Sequence, residues 1–462
     1  MKKMSVIITA MVMAALLFST LPAQEKQNRD LWPMGAYIQS AKIHYQQVYR
    51  PTKDRKELYH CIDLLKEAAA RFGRVPELNF MLGTFYAEIN SIDTMVMYFD
   101  SVVAMCADES IDEKYRKSCN KKDNYIEKMD KLREDKFEKS YNDAIGYIEQ
   151  LDMALKFRKE CSEDSAAYYD GKIEETFDRA STSFNNAMLS KPDRPGAPDG
   201  YGVLLQRVNR HQEAITYYKK AMDLLGREDS ALVSKIAYAY IYDSDWLNAA
   251  EWFQKALTHA PSDLNALINI SVAYNNLDSL DRWYEYTERI IQIDPGNTQS
   301  LFNAGQYWFV KMQEAATQIS ELNDSIPEQK ARREKLDTQA KEYMEKAAGY
   351  FERILAIDVN DSFAARQLGI LYLLSGQPNR AIETLEKFVA VRTDDNDVLD
   401  FLGRAYIMSG DTKAAIRPYE ILVQNDPGNI KAWENLAELY QYNGMPEKAA
   451  EAQKKVEELK KQ

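Results

Sequence analysis

Residues 362–395 read SFAARQLGILYLLSGQPNRAIETLEKFVAVRTDD. Residues 396–429 read NDVLDFLGRAYIMSGDTKAAIRPYEILVQNDPGN, and residues 430–462 read IKAWENLAELYQYNGMPEKAAEAQKKVEELKKQ. Set under one another, the three blocks repeat. Leu368-Gly369 returns as Leu402-Gly403 and Leu436-Ala437, Tyr372 as Tyr406 and Tyr440, Gly376 as Gly410 and Gly444, and Ala381 as Ala415 and Ala449. A period of thirty-four residues held without a slip marks a stacked repeat architecture, in which one unit cannot bury its apolar face without a neighbour.

The residue types describe each unit. Gly403 and Ala415 are small, which lets two antiparallel helices approach closely, and Tyr406 and Tyr419 fill the space between neighbouring hairpins. Gly410 suits the left-handed conformation that ends a first helix. Pro427 stops the second helix, because it lacks an N–H and clashes with a continuing turn.

Working backward, the same beat appears in Ile270-Ser271, Tyr274, Ile290 and Pro295, with Trp283 where a small residue is expected. It appears again in Ile236-Ala237, Tyr240, Ala249, Phe253, Ala256 and Pro261, in Ala214, Tyr218 and Ala221, in Ala180, Phe184 and Ala187, and in Leu82-Gly83, Tyr86, Met95, Phe99 and Val102. Asp30 to Arg50, with Tyr37, Ala41, His44 and Val48 on one face, and Asp54 to Phe72 predict a degenerate first unit broken at Pro51.

Two places break the beat. From Asn124 to about Lys159 the apolar spacing predicts one long helix, and the returning helix is also long. Ala304-Gly305 and Trp308 open a unit whose second helix, carrying Ala347, Phe351 and Ile354, comes roughly thirty residues late. The insertion, at about 311–346, predicts a helical hairpin reaching roughly 20 Å beyond its neighbours. The Pro- and Gly-rich stretch 192–198 divides the chain into an N-terminal array, 24–193, and a C-terminal array, 194–462.

Leu399, Leu402-Gly403, Tyr406, Ala415, Tyr419 and Pro427, followed by Trp433, Leu436-Ala437 and Tyr440, resemble the tetratricopeptide repeat family, with a departure at Leu422, where a small residue is usual. The resemblance covers nearly all of the chain beyond its first residues, in about nine or ten units. It implies an all-α, right-handed superhelical solenoid of helix-turn-helix repeats, with extended hairpins inserted in two units. It also implies a concave groove, lined by the first helices, that binds a peptide or an amphipathic helix of a partner protein.

Carried over position by position, the groove would hold Ser234, Tyr238, Ile241 and Tyr242, then Asn265, Ile268, Asn269, Val272, Asn275 and Asn276, then Gln299, Phe302, Asn303, Gln306 and Phe309. Tyr238, Ile241, Tyr242, Asn269, Phe302, Asn303 and Gln306 form the candidate partner-binding set. An amide can donate to and accept from one peptide unit, although asparagines at such places also simply face water. Further along, Phe363, Ile370, Leu373, Leu374, Ile407 and Met408 are apolar at groove positions. The clamp by which some members grip a terminal carboxylate is not matched. Arg366 and Lys431 stand at two of its places, but Ile370 and Phe401 replace the asparagines it needs.

The chain opens with Lys2-Lys3, an uncharged apolar run from Met4 to Phe18, Leu21-Pro22-Ala23 and a polar continuation. This is the pattern of a secretory signal peptide spanning 1–23. The apolar run, about fifteen residues, is shorter than the roughly twenty a membrane span needs, so no integral span is expected after its removal. Export to the periplasm or cell envelope, or secretion, is the expected location.

Four cysteines in an exported chain permit disulfides. Cys106 and Cys119, flanking a short polar stretch of loop or weak helix, are the candidate pair, while Cys61 falls at a small-residue packing position. The net charge of −12 argues against nucleic acid as a partner. His44, His60, His211 and His259 are scattered outside any metal-ligand spacing, and neither a phosphate-cradling glycine loop nor a nucleophile motif occurs. The expectation is therefore a non-catalytic protein-interaction scaffold without cofactor or metal. A structural homo-oligomer and a binder of glycans or other small ligands are the alternatives.

Overall fold

A computed structural model describes Arg29, 32–120, 124–323 and 325–461. The expected signal peptide lies outside these described residues. Among them there is no strand: the chain is all-α, built of helices packed in adjacent pairs. They form two compact units, one ending at Leu232 and one beginning at Val233.

The first unit opens with α1 (Met34–Ile43), which continues through a π-helical turn, His44–Tyr49, into Arg50–Thr52. Helix α2 (Arg55–Phe72) returns against it. The π turn corrects the sequence reading. It adds a residue to the turn, so the buried face passes from Tyr37 and Ala41 to Tyr45 and Tyr49, while His44 and Val48 are only half-buried. The helix also runs through Pro51 and stops at Lys53, which has a left-handed backbone, φ 55°.

Helices α3 (Pro76–Glu88) and α4 (Ile92–Ala107) form the next hairpin, with Phe99 beneath Gly83. The stretch expected as loop or weak helix contains α5 (Glu113–Asn120), joined to the end of α4 by a disulfide between Cys106 and Cys119, Cα atoms 6.0 Å apart. Cys61 is buried, and its thiol is pushed up to about 12 by that burial and then by Glu57.

The long pair follows: α6 (Tyr125–Glu160) and α7 (Glu163–Ser190), 36 and 28 residues. Then come α8 (Gly196–Arg207) and α9 (His211–Leu225). The stretch 192–198 lies inside this unit and is held down. Lys191 Nζ sits 2.5 Å from Asp130 and Arg194 3.0 Å from Glu134, both on α6, and Phe184 of α7 packs under Gly200 of α8.

The second unit contains α10 (Ser230–Tyr242), which begins just before the division, and α11 (Trp246–His259). It continues with α12 (Leu264–Asn276), α13 (Leu280–Ile293), α14 (Thr298–Ser320), α15 (Pro327–Ile357), α16 (Ser362–Leu374) and α17 (Pro378–Val389). It closes with α18 (Asn396–Ser409), α19 (Ile416–Asn425), α20 (Ile430–Tyr442) and α21 (Pro446–Leu459).

One turn position recurs with a left-handed backbone: Ser244 (φ 57°), Asp278 (φ 52°), Gly376, Gly410 and Gly444. Its counterpart in the late unit is Met312. That side chain is buried and helical, so α14 does not turn there and continues to Ser320. Beyond it, Met312 and Ala315 of α14 and Leu336 and Ala340 of α15 are buried. Arg333 donates to the Leu322 carbonyl near the turn at 2.8 Å.

Inside four hairpins a glycine on the first helix faces an aromatic ring on the second: Gly83 and Phe99, Gly202 and Tyr218, Gly305 and Phe351, Gly403 and Tyr419. A Cβ on Gly305 would lie 2.7 Å from Phe351, and one on Gly403 would lie 2.4 Å from Tyr419. The α12–α13 hairpin solves the same contact differently. Ser271 and Thr287 are buried as a hydroxyl pair 3.2 Å apart, and Thr287 also donates to the Trp283 carbonyl. Trp283 itself is half-buried, leaving the small-residue slot without a large ring inside it.

Candidate interaction surface of the first helices

The first helices α10, α12 and α14 are poor in charge, as is α16, where Arg366 is the one charged residue. Lys235 is the one charged residue of α10, none of the thirteen residues of α12 is charged, and α14 has none before Lys311. In a chain where 28% of residues are charged, these helices instead carry amides, aromatics and aliphatics.

Tyr238 is half-buried, with its ring edge-on to Phe253, centroids 5.1 Å apart. Its hydroxyl accepts from Asn269 Nδ2 at 3.2 Å, which links α10 to α12. Asn269 Nδ2 also donates to the Asn265 carbonyl at 2.8 Å. Asn303, the counterpart of Asn269 on α14, bonds within its own helix: its Oδ1 accepts from Gln299 Nε2 at 3.0 Å. Phe302 meets Phe363 of α16 edge-on at 4.8 Å and lies 6.1 Å from Phe351. Ile241 and Gln306 are half-buried, and Tyr242 is 62% exposed. The structure thus joins Tyr238 to Asn269 and Phe302 to Phe363.

Of the apolar residues further along, Phe363, Leu374, Ile407 and Met408 are exposed. Leu373 is not: at 8% exposure it belongs to the core, because the end of α16 is covered over most of its circumference, with Leu371 and Tyr372 buried as well. Arg366 is no open clamp cation. Asp397 and Asp395 lie 3.1 and 3.5 Å from its guanidinium.

Two polar assemblies were not foreseen. In the first, a tyrosine of a first helix donates to a glutamate of the preceding second helix, and a cation from the next second helix joins the same carboxylate. Tyr372, Glu352 and Arg380 form one such group, Tyr406, Glu386 and Arg417 another, and Tyr440, Glu420 and Lys448 the third. Burial and then the carboxylate raise all three tyrosine pKa values, Tyr406 to about 12. The signal was present in the sequence, since Glu352, Glu386 and Glu420 recur at the repeat period.

The second assembly pins the long pair α14–α15 to α13. Tyr284 stacks on Tyr307 at 4.1 Å, Trp308 Nε1 donates to the Tyr284 hydroxyl at 3.1 Å, and Tyr350 donates to Glu288 at 2.6 Å. Lys346 lies 4.0 Å over the Trp308 ring. The rings and cations therefore satisfy one another.

Among the described residues, no group of three or more His, Cys, Asp or Glu side chains is placed to hold a metal ion. No helix among them is long and apolar enough to cross a membrane.

No match was found among curated proteins. Among solved structures, the chain is similar to YrrB, described as a tetratricopeptide repeat protein with an unusual peptide-binding site. The identity is 21%, over 46% of this chain and 93% of that one, with a TM-score of 0.33. A MamA protein aligns at 19% identity over 43% and 92% of the two chains, TM-score 0.32. A tetratricopeptide repeat protein from Parabacteroides merdae aligns at 14% over 57% and 93%, TM-score 0.31. Two tetratricopeptide repeat family models match residues 366–430 and 430–462, which hold the repeats from α16 to α21. Residues 366–462 are therefore tetratricopeptide repeats, and paired helices precede them along the described chain.

Proposed function

We propose that this protein is a non-catalytic scaffold of the periplasm or cell envelope that holds a peptide or helix of a partner protein on the first helices α10, α12 and α14. The observation that carries the reading is the charge-poor surface of these helices, where Tyr238, Asn269, Phe302 and Asn303 offer hydrogen-bonding groups beside aromatic area. Such a surface gains little from a charged ligand and much from a partly apolar chain segment. The apolar run at 4–18 and the Cys106–Cys119 disulfide support an exported location.

The test is crosslinking in isolated envelope fractions with the wild-type chain and with a variant carrying Tyr238→Ala, Asn269→Ala and Asn303→Ala. Partners lost specifically from the variant support the reading. An unchanged set of partners removes this surface from consideration.

A second reading, self-association, is favoured by the exposed apolar residues Phe363, Leu374, Ile407 and Met408. Light scattering decides it, and a protein that stays monomeric at high concentration rules it out.

A further inference from the structure

The hairpin α20–α21 lacks two contacts that hairpins before it make. In four of those a ring from the second helix lies against the glycine of the first, as Tyr419 does against Gly403. One period after Tyr419 stands Gln453, and it is exposed. The hairpin therefore has no ring at this place. A hollow of about 540 Å³ opens beside Gln453 and Ala450, over the buried Ala437 and Ala449. Ala437 carries the methyl group that Gly403 lacks, so a ring seated here stays nearer the surface and enters from outside.

The second departure is one of charge. Glu352, Glu386 and Glu420 each accept a hydrogen bond from a tyrosine of the hairpin that follows. Their counterpart on α21 is Lys454, so this hairpin presents a cation where the earlier ones present a carboxylate. Lys454 is exposed and enters no ion pair among the described residues. A segment that fits this face brings a ring for the hollow and a carboxylate for Lys454.

Helix α20 itself carries that combination. Glu438 and Tyr442 both line the hollow and stand four residues apart, one turn along the same face. Tyr442 is 79% exposed; Glu438 is exposed too and enters no ion pair among the described residues. A two-fold contact sets a surface against its own copy, so each requirement is met twice. We propose that two copies of the chain associate through this face, each seating its Tyr442 ring in the hollow of the other and pairing its Glu438 with the partner's Lys454. Made through α20 and α21, this contact rests on the second reading above, self-association, but not on Phe363, Leu374, Ile407 and Met408.

Sedimentation equilibrium of the purified protein, from about 1 μM to about 500 μM, is the test. Wild type is expected to show a monomer–dimer equilibrium that weakens between about 50 and about 500 mM salt, because the paired charges are screened. Tyr442→Ser, which leaves the hollow empty, weakens the dimer by about tenfold or more, as do Glu438→Lys and Lys454→Glu taken singly. The double variant Glu438→Lys with Lys454→Glu exchanges the two charges and returns to within about threefold of wild type. Circular dichroism establishes that every variant is folded.

A dimer that withstands Tyr442→Ser, or that the charge exchange does not restore, overturns this contact; self-association survives it, and Met408→Ser then locates the interface elsewhere. A protein that stays monomeric at every concentration overturns both.

Discussion

The Tyr440 hydroxyl donates to Glu420 Oε1 at 2.6 Å across the seam between two successive hairpins, and Lys448 reaches the same oxygen at 3.4 Å. The two preceding seams carry Tyr406 with Glu386 and Tyr372 with Glu352. Stacking of these hairpins is therefore not apolar contact alone; at each seam a largely buried hydroxyl is satisfied by the neighbouring unit.

Tyr440→Phe should lower stability by about 1.5 kcal/mol, in the range for a hydrogen bond to a charged acceptor. It leaves Glu420 paired only with Lys448. Urea denaturation followed by circular dichroism measures the change. An unaltered midpoint would mean that the seam is held by packing alone.

Stability should decline at alkaline pH. Burial and then the Glu386 hydrogen bond raise Tyr406 from 10.0 to about 12. Tyr45, buried against Glu88, shifts the same way, also to about 12. A proton held more tightly in the folded state stabilises it fully below pH 10, and that stabilisation is lost as the pH rises toward about 12. Unfolding midpoints taken across this window should fall, and Tyr406→Phe should make the fall shallower. An equal slope in wild type and variant would show that Tyr406 does not contribute.

Ser244 occupies the turn position with φ 57°, where Gly376, Gly410 and Gly444 stand in other hairpins. Ser244→Gly should raise stability by about 0.5–1 kcal/mol, because a left-handed backbone costs an L-residue more than a glycine. Thermal unfolding checks the sign. A lower midpoint would mean that the added freedom of the unfolded chain outweighs the strain removed.

The Cys106–Cys119 bridge closes a short loop, sequence separation 13, around α5. Replacing both cysteines with serine should cost about 2–3 kcal/mol if the constraint acts on the unfolded chain. Limited proteolysis should then cut first near α5. Resistance equal to wild type would show that the packing of Ile111 and Tyr115 holds this segment without the bridge.

The hairpin repeat was legible because its contacts are local. Gly403 meets Tyr419 inside one hairpin, and Gly410 ends the first helix by its own backbone conformation, so each requirement is written within one period. The long helix beginning near Asn124 was legible too, as an apolar spacing without a break. The inward shift to Tyr45 and Tyr49 was not, since the π turn leaves no clear residue signature. Nor was the neutralisation of Arg366, whose carboxylate partners Asp395 and Asp397 stand at the start of α18, about thirty residues on.

The candidate surface divides in the same way. The sequence alone determined which residue types stand on α10, α12 and α14 and that almost none carries charge, because helix and repeat spacing assign those positions. Only the tertiary structure decided that Asn269 bonds to Tyr238 of the adjacent hairpin, whereas Asn303 bonds to Gln299 of its own helix. An asparagine side chain can donate and accept, and the choice rests on the neighbours it finds: the Tyr238 hydroxyl brought over from the adjacent hairpin in one case, and Gln299 one turn back in the other.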